Sequence, residues 1–149
     1  MPSHNVPLGA HLGLNGYEYD SYFTTGVTLT STQAVPGLGF IYTNGDTGNV
    51  TGNNATVAGF ESTNLSVLLK SGNANDTVDL YGEKGTTNIA NFNGSDHLGI
   101  WGSGFANPAA ALSALKPTHF GQELALPSGG KIEFYHNTPL TLASFAHVS

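Results

Sequence analysis

The sequence predicts a single, mainly β domain over residues 1–149, with a solenoid-like or meander core, one short α-helix near residues 107–116 and a C-terminal β-hairpin. Three observations carry that expectation. Twenty glycines, several in Asn–Gly or Gly–Asn pairs, mark a chain that turns often. Thr, Val, Ile and aromatic residues fill the short runs between those turns, and these types favour strands. Only the segment from Asn107 to Pro117 carries a full set of helix start and stop signals. The composition is that of a folded chain: 39% hydrophobic and 10% aromatic residues in a length of 149 suffice for one core. Disordered chains combine high charge with few aromatics, and only 9% of these residues are charged.

No linker divides the chain, and three zones follow one another. Residues 1–16 have the glycine and proline content of an extended N-terminal arm, with too little apolar content for a core of their own. Residues 17–105 form a turn-rich β region, beginning with Val27-Thr-Leu29-Thr30, which alternates as a half-buried strand does. Within that region Val67, Val78, Ile89 and Ile100 recur at a spacing of eleven, each in a strand-like run. Stacked parallel strands of a solenoid would set each of these over the previous one. An antiparallel meander with similar turns gives the same period. Residues 106–149 hold the helix and a closing hairpin. Asn107 is a capping residue, Pro108 suits the first helical position, and AAALSAL follows. Lys116 falls in the last turn, where it complements the carbonyl end, and Pro117 blocks extension. Leu124-Ala-Leu126 and Ile132-Glu-Phe134 alternate on either side of Pro127-Ser-Gly-Gly130, a four-residue hairpin loop. Leu140, Leu142 and Phe145 read as a last half-buried strand.

Charge and composition exclude several classes. Ten carboxylates against four lysines (Lys70, Lys84, Lys116 and Lys131) and no arginine leave a net charge of −6. A nucleic-acid binder needs a dense basic face, and so does a binder of anionic membranes; neither is present. The absence of cysteine removes disulfides, thiol nucleophiles and thiolate metal sites. No apolar run approaches the ~18 residues of a membrane span. The start, MPSHNVPLGAHLGLNG, lacks the lysine-led apolar segment of a signal peptide. The expectation is a cytoplasmic protein, or one exported by a route that reads no N-terminal signal.

The segment most informative for chemistry is Ser71-Gly72-Asn73-Ala74-Asn75-Asp76-Thr77-Val78-Asp79. It fits the register of the calcium-binding nonapeptide G-G-x-G-x-D-x-U-x, with Gly72, Asp76 and Val78 in place. Small residues let carbonyls turn inward, the aspartate supplies a carboxylate, and calcium takes six to eight such oxygens. The candidate Ca2+ ligands are Asn75, Asp76 and Asp79, with Asn93, Asp96 and Asp46 as degenerate partners from neighbouring turns. The alternative is a set of Asx turns whose side chains hydrogen-bond their own backbone. The six histidines show no close zinc spacing and no nucleophile elbow occurs, so no catalytic residue is expected. Tyr17, Tyr19 and Tyr22 form a tyrosine-bearing stretch suited to a sugar or protein interface. Trp101, between Ile100 and Gly102, is expected in the core.

Residues 71–149 resemble the end of a bacterial repeats-in-toxin (RTX) type protein of the type I secretion pathway. After the nonapeptide block, the family pattern I-x-x-F-x-x-x-x-D-x-L-x-I is matched from Ile89 through Phe92, Asp96 and Leu98 to Ile100, with one residue fewer between aromatic and acid. Leu126 to Phe134, followed by Leu140 and Phe145, is similar to the last strands of the family's closing module. The resemblance implies calcium in the turns and export directed from the C-terminus, around residues 140–149. The function expected is that of a secreted, non-enzymatic bacterial protein that self-assembles into an extracellular fibre, surface layer or biofilm matrix. Its main partner is then more copies of itself. The alternative is a calcium-dependent module for adhesion or for binding polysaccharide. Self-assembly is expected because Leu38 to Leu69 has several strand-like runs, no lysine, and only two carboxylates, Asp46 and Glu61, to guard sheet edges.

Overall fold

The described residues of the computed structural model are 3–5, 11–14, 18–20, 28–31, 39–42, 47–50, 53–54, 56–60, 64–72 and 74–149, the first six segments and residue 60 as backbone only. In chain order the strands are β1 (Ser3–Asn5), β2 (His11–Leu14), β3 (Glu18–Asp20), β4 (Thr28–Ser31), β5 (Gly39–Tyr42), β6 (Thr47–Val50) and β7 (Thr56–Phe60). Then come β8 (Asn64–Leu69), β9 (Thr77–Tyr81), β10 (Thr86–Ala90) and β11 (His97–Trp101). The helix α1 (Pro108–Ala114) follows, and then β12 (Lys116–Pro117), β13 (Gly121–Ala125), β14 (Lys131–Tyr135), a 3-10 turn (Leu142–Ser144) and β15 (Phe145–Val148).

These strands make two sheets, and the chain passes alternately between them. One sheet runs β1-β3-β5-β7-β9-β11-β15; the other runs β2-β4-β6-β8-β10-β14-β13-β12. Up to β11, strands adjacent in sequence lie in different sheets, and each pairs in parallel with the strand two further along. A meander would instead pair sequence neighbours antiparallel, so that expectation is corrected. The eleven-residue spacing is also reinterpreted. Val67 and Ile89 are Cα partners in one sheet, twenty-two residues apart, while Val78 pairs with Leu98 in the other. Eleven residues carry the chain from one sheet to the other; about twice that returns it to the same sheet.

Alternating side chains point to opposite faces of a strand, and from β8 to β11 the inward set is aliphatic apart from Thr87. Leu65, Val67 and Leu69 of β8 are buried, as are Val78 and Leu80 of β9, Ile89 of β10 and Leu98 and Ile100 of β11. Parallel register aligns these into columns. Val57, Val78, Leu98 and Phe145 form one column; Val67, Ile89 and Phe134 form another. Phe92 and Phe134 meet edge to face with centroids 5.6 Å apart inside this core.

The C-terminal end of the core is covered. The Asn107 side chain accepts from the Ala110 N–H at 2.9 Å and Pro108 opens α1, as the sequence predicts. The helix packs against β13 of one sheet and β15 of the other and buries Ala111 completely. It ends at Ala114, so Lys116 is not in its last turn. A proline disfavours helical backbone in the residue before it, and Lys116-Pro117 is extended, pairing antiparallel with β13. The β13–β14 hairpin forms where expected, with Leu124 opposite Ile132 in its register. Beyond it Leu140 is buried but Leu142 is 55% exposed in the 3-10 turn, so the last strand starts only at Phe145. Part of the segment read as an extended arm is paired: β1 lies beside β3 and β2 beside β4. No helix among the described residues is long and apolar enough to cross a membrane.

Burial of Phe134 at the end of the Val67–Ile89 column, where it also makes the edge-to-face pair with Phe92, sets a test. Phe134→Ala should cost about 3–5 kcal/mol in urea unfolding. Leu142→Ala, at an exposed position, should stay within about 0.5 kcal/mol of the parent.

Candidate functional site

The strongest clustering of sequence-predicted residues is in the loops that enter β9 and β11. Each loop ends on an aspartate, Asp76 or Asp96, and both are fully buried. Pairing of His97 with Thr77 sets the two side by side. Asp96 then accepts two backbone hydrogen bonds, from the Asp76 N–H to Oδ1 and from the Asn93 N–H to Oδ2, each 2.9 Å. The His97 N–H donates to the Asp76 carbonyl at 2.9 Å. Asn93 Oδ1 accepts from the Ser95 N–H (2.9 Å) and hydroxyl (2.6 Å), and the Ser95 hydroxyl oxygen accepts from the Asn75 N–H at 3.1 Å. One tier further, Asn53 Oδ1 accepts from the Ala74 N–H at 2.8 Å, and the Asn54 N–H donates to the Ala74 carbonyl at 3.0 Å. Asn54 and Asn75 share a left-handed backbone, φ 59° and 58°, which asparagine tolerates better than most residues.

Burial pushes the Asp96 carboxyl above its ordinary value, while the two N–H donors and nearby His97 oppose that shift. The RTX resemblance implies calcium at these turns. Calcium requires six to eight oxygens directed at one point. Both oxygens of Asp96 and the Oδ1 of Asn93 are turned instead toward loop N–H and hydroxyl groups. Among the described residues no three of His, Asp and Glu converge. As placed, these donors do not fit a calcium ion. Asp79 is not brought to the loops at all: it sits in mid-β9 on the outer face, opposite Gly99. Asp46, Tyr17 and Tyr22 lie outside the described residues, and Tyr19 is described only as backbone in β3, paired with Phe40.

A second arrangement, missed by the sequence reading, occupies the outer face of the seven-stranded sheet. Tyr81, Trp101 and His147 stack on successive strands β9, β11 and β15. Their ring centroids are 4.5 Å and 4.3 Å apart with planes within 14° and 11°. Ile100 takes the inward position, so Trp101 faces outward and is half-buried rather than in the core. A side chain at Gly99 would collide with Asp79 Oδ1 and with the Trp101 ring, so this glycine is the floor on which both lie. Burial raises the Asp79 carboxyl, with His147 acting against it. A signal was available: Tyr81 and Trp101 are Cα partners and share the twenty-residue step of Val78 and Leu98. Glu83 was also missed as a buried acid. Between β9 and β10 its carboxylate accepts from the Thr87 hydroxyl and the Gly85 N–H, and burial raises it.

No family model, no curated protein and no solved structure matches this chain.

Asp79, Glu83 and Asp96 are all raised by burial, so the folded state holds more protons than the unfolded one across the intervening pH range. Their contribution to stability is fully present below the ordinary carboxylate range and is lost as pH rises through the raised values. Glu133, lowered by bonds from Lys131 and Tyr135, acts in the opposite sense but is only half-buried and is partly screened by solvent. The melting temperature should therefore fall as pH rises from about 4 towards neutrality. Glu83→Gln should flatten that fall, as scanning calorimetry across the range will show. A second check uses the single tryptophan of the chain. Gly99→Ala should displace the Trp101 ring, shifting its fluorescence to longer wavelength, with no comparable shift in Gly94→Ala, where a side chain meets nothing within 4 Å.

Proposed function

We propose that this chain is an exported, non-enzymatic structural protein whose two sheets, one of them parallel throughout, form a stack that joins head to tail with further copies of itself. The observation that supports it is that the seven-stranded sheet is parallel from edge to edge, ending in β1 on one side and β15 on the other. Translating one copy along the stack brings β15 beside β1 of the next with every strand direction preserved. Such a contact is heterologous and propagates into filaments unless it closes a ring. The other sheet ends differently at its C-terminal side, in a two-residue strand of Lys116 and Pro117, the residue types that blunt an edge. The use of the buried acids supports the non-enzymatic part. Asp96 and Glu83 hold backbone N–H groups of the chain itself, which suits a scaffold better than a reaction centre. The resemblance of residues 71–149 to RTX protein ends supports export and a working assembly outside the cell, as fibre, surface layer or matrix.

Three measurements test this reading. Full-length protein should sediment as polymer, seen as filaments in negative stain. Ala146→Lys, at an exposed position of β15, should shift it to monomer in light scattering while circular dichroism keeps its β signal. Deleting 1–16, which removes β1 and β2, should do the same. Protein that stays monomeric at high concentration, with and without calcium, rules the reading out. The role of the loop column is tested separately. Asp96→Ala should cost about 2–3 kcal/mol by orphaning two N–H groups, equally in chelator and in millimolar calcium. A loss seen only with calcium would assign that carboxylate to the ion.

A further inference from the structure

A cavity of about 330 Å3 opens beside the β13–β14 hairpin, lined chiefly by Thr118, His119, Phe120, Glu123, Glu133 and Tyr135. That places it at the small end of ligand pockets, which run from about 300 to 1,000 Å3. Its wall is a tight turn. The Thr118 N–H donates to the Gly121 carbonyl at 2.9 Å, and the Gly121 N–H donates back to the Thr118 hydroxyl oxygen at 3.1 Å. A side chain at Gly121 would strike the Phe134 carbonyl, so glycine lets this turn close onto β14. The His136 N–H donates to the Phe120 carbonyl at 2.9 Å and holds the turn there.

The turn presents Phe120, a large apolar ring left 56% exposed. Its neighbours are His119, edge-on at 4.8 Å, and Tyr135, tilted by 36° at 6.1 Å. The polar groups are of two kinds. Glu133 is fixed, by Lys131 at 2.8 Å and by the Tyr135 hydroxyl. Glu123 stands directly opposite it across the hairpin, and among the described residues its carboxylate has no hydrogen bond or ion pair. The Thr118 hydroxyl, whose oxygen accepts from Gly121, keeps its proton to donate.

Aromatic rings beside carboxylates suit either an organic cation or a sugar, and the ring geometry separates them. A cation is best held between rings that each face it from within about 6 Å. Phe120 and Tyr135, only 6.1 Å apart and 36° from coplanar, leave no room for an ammonium group between them. They make one tilted platform. Lys131 also answers the charge of Glu133, so the site has only one carboxylate to offer a cation. A platform with one anchored and one open carboxylate at its rim matches a pyranose ring, which presents C–H groups on one face and hydroxyls at its edge.

We propose that this cavity binds an uncharged saccharide, with a sugar ring laid on Phe120 and its hydroxyls donating to Glu123 and Glu133. The site lies on the hairpin, apart from the β1 and β15 edges invoked for assembly, and its test is independent of that reading. Saturation-transfer NMR on the full chain, with glucose, N-acetylglucosamine and cellobiose as probes and choline as the cation arm, decides it. At least one sugar should receive saturation on its ring C–H protons, and Phe120→Ala should weaken its binding about tenfold. Glu123→Ala should weaken it as well, and it decides the matter should the first variant lose its β circular dichroism. No transfer to any of the three sugars, or transfer unchanged in both variants, overturns the proposal. Transfer to choline alone makes this a cation site and overturns it too.

Discussion

Parallel pairing with the strand two further along fixes which residues can be neighbours, and most of the molecule follows from it. Up to β11 each column through a sheet collects residues about twenty positions apart, and the steps to β14 and β15 are about twice that; a side chain that suits the core at one level must suit it at the next. Val57, Val78, Leu98 and Phe145 meet this condition, as do Val67, Ile89 and Phe134. The column Leu65–Thr87–Ile132 carries the exception, a fully buried threonine. Its hydroxyl donates to Glu83, so the polar atom is satisfied and the acid is held in its turn. The same constraint governs the loops. Strands that stay in register need loops that return at the same place, and repeated Asx geometry supplies that return.

Charge is scarce here, and its placement is informative. Burying a carboxylate costs several kcal/mol unless hydrogen bonds replace its water. Asp96 recovers part of that cost from two N–H groups that belong to successive loops. One side chain therefore ties its own turn closed and ties that turn to the one below it. An alanine would leave the core intact and free both loops. The outer face of β11, the strand that Asp96 leads into, shows the converse device, a glycine. Gly99 gives up a side chain so that Asp79 and the Trp101 ring can lie across it, and the ring stack of Tyr81, Trp101 and His147 bridges three strands.

Most signals read locally in the sequence agree with the structure, Lys116 and Leu142 excepted; most of those that depend on long-range pairing do not. The Asn107 cap and the hairpin around Pro127-Ser-Gly-Gly130 are set by residues a few positions apart, and both form as read. The eleven-residue period located strands but could not say that successive ones leave for different sheets. Trp101 was misplaced for a related reason: whether it or Ile100 faces inward depends on parity set by Leu98 and the partners of β11. Asp76 and Asp96 were legible as a pair because the nonapeptide register aligns them. Asp79 was grouped with them wrongly, since three residues along a strand reverse the facing of a side chain. The cavity at Phe120 left no trace, because its walls come from a turn and a strand that meet only after Gly121 closes on β14.

The two ends of the stack are not equivalent, and that bears on what kind of polymer the proposed contact would make. Inside one copy the chain alternates between both sheets up to β11, and the buried cluster runs from Val57 to Phe145. At the C-terminal end α1 covers that core, while Lys116 and Pro117 blunt the edge of the second sheet. A junction through β15 therefore engages one sheet of the two and buries little of the aliphatic column. It depends on backbone hydrogen bonds along a four-residue strand and on the outer face of the His147 ring, where the aromatic stack stops. Hydrogen bonds exchanged for water contribute modestly, about 0.5–1.5 kcal/mol each. Such a filament is a row of separately stable units with weaker joints, able to lengthen and to part without unfolding any of them.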